Sequence, residues 1–143
     1  MQFTFEHASL QRVVDGDTLI ITVDMGFGVF RHDLNVRLDK IDTPECCTSN
    51  ALEKQAGKLV SAYVFQLLAT QPGLILISFD LDKYGRVLGD IEFTRPPPLI
   101  SAAAPRLTDH LLCRRFAREY AGGTRVEWPV DTLLTIISEL DKE

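Results

Sequence analysis

The first 45 positions alternate apolar and polar residues in a way that predicts β-strands joined by tight turns. A mixed segment over 3–14 leads into an Asp-Gly turn, and the apolar run LIITV at 19–23 follows it. A third strand is predicted over 30–41, where LNVRL alternates apolar with polar side chains. This alternation points Arg37 away from the apolar face.

Helical spacing of apolar residues predicts a helix over 51–70, with Ser49 or Asn50 as its N-cap. Two further strands are predicted at 74–79 and 87–93. Five strands with a helix between the third and the fourth follow the order of an OB-fold. The predicted fold class is therefore α+β and mainly β: a five-stranded OB-fold barrel with two helices after it.

The C-terminal third begins with a proline-rich stretch over about 94–106, which predicts an extended or flexible loop. A helix capped by Thr108 or Asp109 is predicted to run to about Tyr120. Pro129 is predicted to open the last helix. The buried stripe expected on that helix is Leu133, Leu134, Ile136, Ile137 and Leu140.

The 143 residues, 45% apolar and 24% charged, suit a single domain over 1–143 with one core. The apolar runs are too short for a transmembrane helix, and the N-terminus does not resemble a signal peptide. We therefore expect a cytoplasmic protein without membrane contact. Cys46, Cys47 and Cys113 are expected to be free thiols. The sequence leaves the oligomeric state open, with a monomer favoured.

Net charge constrains the partners. A charge of −5 argues against a protein whose main task is to coat nucleic acid. It still allows an enzyme that binds nucleic acid through a few arginines, and it predicts weak, salt-sensitive non-specific binding.

Three polar clusters follow predicted strand ends: DGDT at 15–18, DTPE at 42–45 shortly after Arg37, and DKYGR at 82–86. Each alone is a common turn sequence. Together they contain the parts of metal-assisted phosphodiester hydrolysis.

Each residue type in these clusters suits one part of that reaction. Carboxylates at Asp17 and Asp42, with a backbone carbonyl, are hard oxygen ligands of the kind that Ca²⁺ prefers. Glu45 can activate a water molecule as a general base. Two arginines, Arg37 and Arg86, can clamp a phosphate and stabilise the transition-state charge.

The stretches VVDGDTLIITV, VRLDKIDTPE and DKYGRVLGDI, in this order, resemble the staphylococcal nuclease (thermonuclease) family. The later LLCRRFAREYAGG resembles the family's helix after the barrel, so that the resemblance covers about 12–122. It implies a Ca²⁺-dependent endonuclease that hydrolyses DNA and RNA, prefers single-stranded or open regions, and leaves 3′-phosphate ends.

The resemblance also implies a role for individual residues. The implied calcium ligands are Asp17, Asp42 and the backbone carbonyl of Thr43. The implied catalytic residues are Arg37, Arg86 and Glu45, the last as general base or as the group that orients the water. The implied substrate-binding residues are Lys83 and Tyr84 beside the terminal phosphate and, as the aromatic residue nearest the base-stacking position, Tyr120.

A non-catalytic OB-fold module that binds nucleic acid or protein, such as a phage- or plasmid-encoded product, is the alternative. The acidic charge and the proline-rich insert favour it. Carboxylates placed beside two arginines favour the enzyme. The basic group Arg114, Arg115 and Arg118 is either a solvated helix face or the rim of a nucleic-acid site.

Overall fold

The computed structural model describes residues 2–95 and 106–142. In this part of the chain the strands are β1 (Phe3–Asp15), β2 (Thr18–Gly26), β3 (Val29–Leu38), β4 (Ile41–Asp42), β5 (Leu74–Leu81), β6 (Val87–Phe93) and β7 (Arg118–Glu119). The helices are α1 (Ala51–Ala69), α2 (Leu107–Cys113) and α3 (Val130–Leu140). Five strands close into a barrel in the order β1-β2-β3-β6-β5. The predicted α+β, mainly β barrel of the OB type is confirmed.

Strand pairing explains how distant polar clusters come together. The β1–β2, β2–β3, β1–β5 and β5–β6 pairs are antiparallel, and a parallel β3–β6 pair completes the barrel. In this register Thr18 lies opposite Arg37 on one side, and Leu88 lies opposite Arg37 on the other. The DGDT turn and the strand after Arg86 therefore flank Arg37.

The core fills the barrel and the face of α1 that covers it. In β3, Val36 and Leu38 are completely buried, which confirms the predicted apolar face. The buried residues of α1 include Ala56, Val60 and Val64, spaced by four positions along one stripe. Each large apolar side chain buried in this way contributes roughly 1.5–3 kcal/mol to folding.

Helix α1 begins as the sequence predicts. The side chain of Asn50 accepts hydrogen bonds from the backbone N–H groups of Leu52 (3.1 Å) and Glu53 (3.0 Å), so Asn50 rather than Ser49 is the N-cap. The helix ends at Ala69, one residue before the predicted end.

The prediction for α2 was wrong at both ends. The helix stops at Cys113 and not near Tyr120, because Arg115 adopts a left-handed conformation (φ 63°) and turns the chain. Its N-cap is Arg106, and Thr108 instead donates a hydrogen bond of 2.5 Å to the buried carboxylate of Asp90. The residues freed from the helix form β7, which pairs with β4.

Two smaller predictions were tested by the structure, and a third falls on residues that it does not describe. The third strand ends at Leu38 and not at Ile41, because Lys40 takes a positive φ of 64°. Helix α3 begins after Pro129 as predicted, but Leu134 is 50% exposed and does not belong to its buried stripe. The proline-rich loop is predicted over about 94–106, and its residues 96–105 lie outside the described part of the chain.

Cys46, Cys47 and Cys113 are free thiols, as expected. None of the described helices has the length and apolar character needed to span a bilayer.

Candidate active site

Turns and strand ends of the barrel meet at a small cavity of about 160 Å³, which we call the acidic cavity. Its lining residues are Asp15, Asp17, Thr18, Arg37, Asp42, Glu45, Arg86, Tyr120 and Arg125. Six of the nine residues that the sequence nominated for function are among them. The other three, Thr43, Lys83 and Tyr84, are described below.

Asp17, which is buried, lines this cavity. Its carboxylate accepts hydrogen bonds from the Thr43 backbone N–H and the Thr18 hydroxyl, both at 3.0 Å, and lies 3.5 Å from Arg37 Nη1. Burial raises the pKa of Asp17 and outweighs the opposing effects of Arg37 and the hydrogen bonds, while the charge of Asp42 raises the pKa further. Asp17 is therefore a carboxylate whose negative charge is only partly balanced by its surroundings.

Asp42, which is 4% exposed, is held by two arginines from the C-terminal part of the chain. Its Oδ2 accepts from Arg118 Nε at 3.1 Å and from Arg118 Nη2 at 2.9 Å. Its Oδ1 lies 3.5 Å from Arg125 Nε. Arg118 is itself fixed, because its guanidinium stacks 4.1 Å from the ring centre of Trp128 and donates to the Val126 carbonyl. Arg118 is thus a site residue and not part of a solvated helix face.

Glu45 combines a fixed backbone with an open side chain. Its backbone N–H donates to Oε2 of the buried Glu53 at 2.9 Å, and the same oxygen accepts from Arg125 Nη2 at 2.7 Å. The Glu45 carboxylate lies 3.7 Å from Arg125 Nη1, and its side chain is 45% exposed. This carboxylate can therefore meet water, as a general base must.

Arg37 and Arg86 both line the acidic cavity. Arg37 donates to the Leu38 carbonyl at 2.8 Å, which leaves the other nitrogens of its guanidinium available. Arg86 donates from Nε to Asp82 Oδ2 at 2.6 Å, within a turn in which Asp82 also accepts from the Tyr84 and Arg86 backbone N–H groups. Both arginines are held by neighbours while part of each guanidinium faces the cavity.

A larger groove of about 1160 Å³, which we call the long groove, shares Arg37, Arg86 and Tyr120 with the acidic cavity. Lys83 and Tyr84 line it, as does Tyr120, so the structure brings the three nominated substrate residues to one groove. Its cationic lining residues are Arg37, Lys40, Lys83, Arg86 and Arg106. Its acidic lining residues are Asp39, Asp82, Asp90, Asp109 and Glu119. Opposite charges therefore balance in number along this groove.

Two aromatic rings, the exposed Tyr84 and the half-buried Tyr120, lie beside the arginines of the groove. The Arg86 guanidinium is 5.6 Å from the ring centre of Tyr84, and the Arg37 guanidinium is 6.0 Å from that of Tyr120. Tyr84 is 72% exposed, so its ring is accessible to a base or a sugar.

The residues fit a calcium ion in the kind of donor that they offer. Asp17 and Asp42 provide hard carboxylate oxygens. Thr43, which follows Asp42 in the chain, is completely buried, and its backbone N–H donates to Asp17. Within residues 2–95 and 106–142, however, no three Asp, Glu, His or Cys side chains converge as a metal site requires. The oxygens of Asp42 are engaged by Arg118 and Arg125 in this state.

The sequence analysis missed Glu53 and Arg125 and misjudged Arg118. These contacts join residues 72 to 83 positions apart, and no local pattern reveals them. One clue was present: Glu53 lies three and seven positions before Ala56 and Val60, on the buried stripe of α1. A carboxylate on such a stripe requires a partner.

One known protein is similar to part of this chain. A thermonuclease of Staphylococcus intermedius is 37% identical over 82 residues, which are 55% of this chain and 44% of the thermonuclease. The match thus spans less than half of that protein's length. No family model matches the sequence. Together with the closed five-stranded barrel, the partial similarity fits an OB-fold of the staphylococcal nuclease type.

Proposed function

We propose that this chain is a Ca²⁺-dependent phosphodiesterase that cleaves DNA and RNA, with a preference for single-stranded or locally open regions. The observation that supports this best is the meeting of Asp17, Asp42 and Glu45 with Arg37 and Arg86 around one cavity. The partial similarity to a thermonuclease points to the same chemistry.

In the proposed reaction the two arginines bind the phosphate. Arg37 and Arg86 both line the acidic cavity, so their N–H groups can donate to the non-bridging oxygens of a phosphodiester bound there. This interaction strengthens as negative charge accumulates on those oxygens in the transition state.

Glu45 has the proposed role of accepting a proton from the attacking water, or of orienting that water. The water oxygen forms a bond to phosphorus while the bond from phosphorus to the leaving oxygen breaks, and a 3′-phosphate end results. The open Glu45 side chain and its fixed backbone support this role. A bound Ca²⁺, held by Asp17, Asp42 and the Thr43 carbonyl, would polarise the phosphoryl oxygen.

The long groove is the proposed path of the nucleic-acid strand. Lys83 and Tyr84 would contact the terminal phosphate, and Tyr120 would stack against a base. A cytoplasmic location, a single domain over 1–143 and a monomeric state stay predictions.

Cleavage of a fluorescent single-stranded DNA tests the proposal directly. We expect cleavage with Ca²⁺ and none with chelator, and a loss of roughly 10²–10⁴-fold in kcat for both Arg37→Ala and Glu45→Ala. Arg31→Ala is the matched control, because Arg31 is exposed on the same strand as Arg37 and lines neither cavity nor groove. Wild-type turnover in folded Glu45→Ala or Arg37→Ala protein would refute the assignment.

A non-catalytic OB-fold binding module is the second candidate. The balanced charges of the long groove favour it, since a groove built only to attract nucleic acid would be more basic. Binding that chelator leaves unchanged, without cleavage under Ca²⁺ or Mg²⁺, would decide for this function.

A further inference from the structure

Arg125, in the segment between β7 and α3, contacts three carboxylates through three different nitrogens of its guanidinium. Its Nη2 donates to Glu53 at 2.7 Å, its Nε lies 3.5 Å from Asp42, and its Nη1 lies 3.7 Å from Glu45. We call these three carboxylates the acidic cluster. One guanidinium thus connects the start of α1, the end of β4 and the loop that carries Glu45.

The acidic cluster needs a cation to be stable. Asp42 and Glu53 are 4% and 3% exposed, so water screens their repulsion poorly. A guanidinium is always charged in proteins, and that of Arg125 donates to Glu53 at 2.7 Å while lying within 3.7 Å of Asp42 and Glu45. The guanidinium of Arg125 therefore offsets part of the negative charge of the cluster, and Arg118 offsets a further part at Asp42.

The two oxygens of Asp42 are held unequally. Oδ2 has two contacts from Arg118 at 2.9 and 3.1 Å, and Arg118 is fixed against Trp128. Within residues 2–95 and 106–142, Oδ1 has one contact, with Arg125 Nε at 3.5 Å. Oδ1 is therefore the oxygen that a metal ion could take, and Arg125 is the side chain that such an ion would displace or repel.

We propose that Arg125 is an internal cation of the site, which holds Asp42, Glu45 and Glu53 together and competes with a divalent metal ion for Oδ1 of Asp42. The inference rests on the proposed function only in treating Asp42 as a metal ligand. Arg125 is a positioning residue here, because it acts through the carboxylates that it contacts.

Calorimetric titration with CaCl₂ alone, without nucleic acid, tests the competition. We expect Arg125→Gln to bind Ca²⁺ on the order of tenfold more tightly than the wild type, because the competing charge is gone. Arg31→Gln removes the same charge from an exposed site that lines neither cavity nor groove, and its Ca²⁺ affinity should stay at the wild-type value. Arg125→Lys keeps the charge and should lie close to the wild type.

Thermal unfolding of the metal-free protein provides a second readout. Arg125→Gln should melt below both the wild type and Arg31→Gln in chelator, and saturating Ca²⁺ should raise its melting temperature more than that of the wild type. If Arg125→Gln is unfolded in chelator, refolding on addition of CaCl₂ supports the same competition.

Equal or weaker Ca²⁺ binding by folded Arg125→Gln would overturn the inference, as would the absence of Ca²⁺ binding in both proteins. These results are separate from the test of the nuclease. If Arg125→Gln binds Ca²⁺ more tightly but the wild type cleaves no DNA, the inference is supported and the proposed function fails. If the wild type cleaves DNA but the Ca²⁺ affinity of Arg125→Gln is unchanged, the proposed function is supported and the inference fails.

Discussion

At the scale of single residues, burial separates the roles of the carboxylates. Asp17 is buried under hydrogen bonds from Thr43 and Thr18, so its charge is best balanced by a cation that reaches it. Glu45 differs, because 45% of its side chain meets solvent and only its backbone is fixed. The buried environment of Asp17 suits a ligand of a hard cation, and the exposed environment of Glu45 suits a general base that takes a proton from water.

Burial also decides the charge of His110, which is 1% exposed. Its Nε2 lies 2.5 Å from the Tyr63 hydroxyl, and its Nδ1 has no hydrogen-bond partner in the described part of the chain. Burial, helped by the charge of Arg114, lowers the pKa of His110 from 6.5 to about 4. The ring is therefore neutral in the folded protein at pH 7.

This pKa predicts how stability depends on pH. Between pH 6.5 and 4 the unfolded chain takes up a proton at His110 and the folded chain does not, so stability falls as the pH falls. The loss from this group is on the order of 3 kcal/mol by pH 4. Urea unfolding across this range should show a smaller loss for His110→Gln than for the wild type. The exposed His32→Gln is the control, and an identical pH dependence in His110→Gln and the control would contradict the prediction.

At the scale of elements, helix α1 supports the loop that carries Glu45. Besides the hydrogen bond from Glu45 to Glu53, the helix allows close contact at Gly57. A Cβ atom there would lie 2.4 Å from the Glu45 carbonyl carbon and oxygen and 2.7 Å from the Cys46 nitrogen. Only glycine lets the loop approach the helix this closely.

Gly57→Ala should therefore shift Glu45. Alanine normally favours a helix over glycine by about 1 kcal/mol, but the clash with backbone atoms should reverse that sign and cost roughly 1–3 kcal/mol of unfolding free energy. We also expect cleavage to fall by about tenfold or more, because a small displacement of a base is costly. Gly73→Ala is the control, since a Cβ at Gly73 meets nothing within 4 Å. A Gly57→Ala protein that is more stable and fully active would exclude this positioning role for α1.

At the scale of the whole molecule, the sequence predicted those features that depend on residues close together in the chain. The alternation around Arg37 and the cap at Asn50 were read correctly, because strand faces and caps depend on near neighbours. The end of α2 was predicted wrongly, because it depends on the left-handed conformation of Arg115. Arginine rarely adopts that conformation. The ion pairs of Arg118 and Arg125 with Asp42 were not predicted either, since they exist only after β7 pairs with β4.

The charge distribution over the whole molecule leads to a prediction about salt. Five cationic and five acidic side chains line the long groove, in a protein of net charge −5. We expect three cations of this groove, Arg37, Lys83 and Arg86, to contact phosphates. Each such contact should displace counterions from the nucleic acid. About three such contacts on a single strand give a slope of log K against log[salt] near −2.

Fluorescence anisotropy of a labelled single-stranded DNA, measured with Glu45→Ala to prevent cleavage, checks this slope. Lys83→Met in that background should make the slope shallower by about 0.7, whereas Lys142→Met, exposed after α3, should leave it unchanged. A slope of about −6 would mean that many more cations contact the strand than the groove provides. The shallow slope is expected because specific contacts at a few arginines, and not a broadly basic surface, hold the substrate.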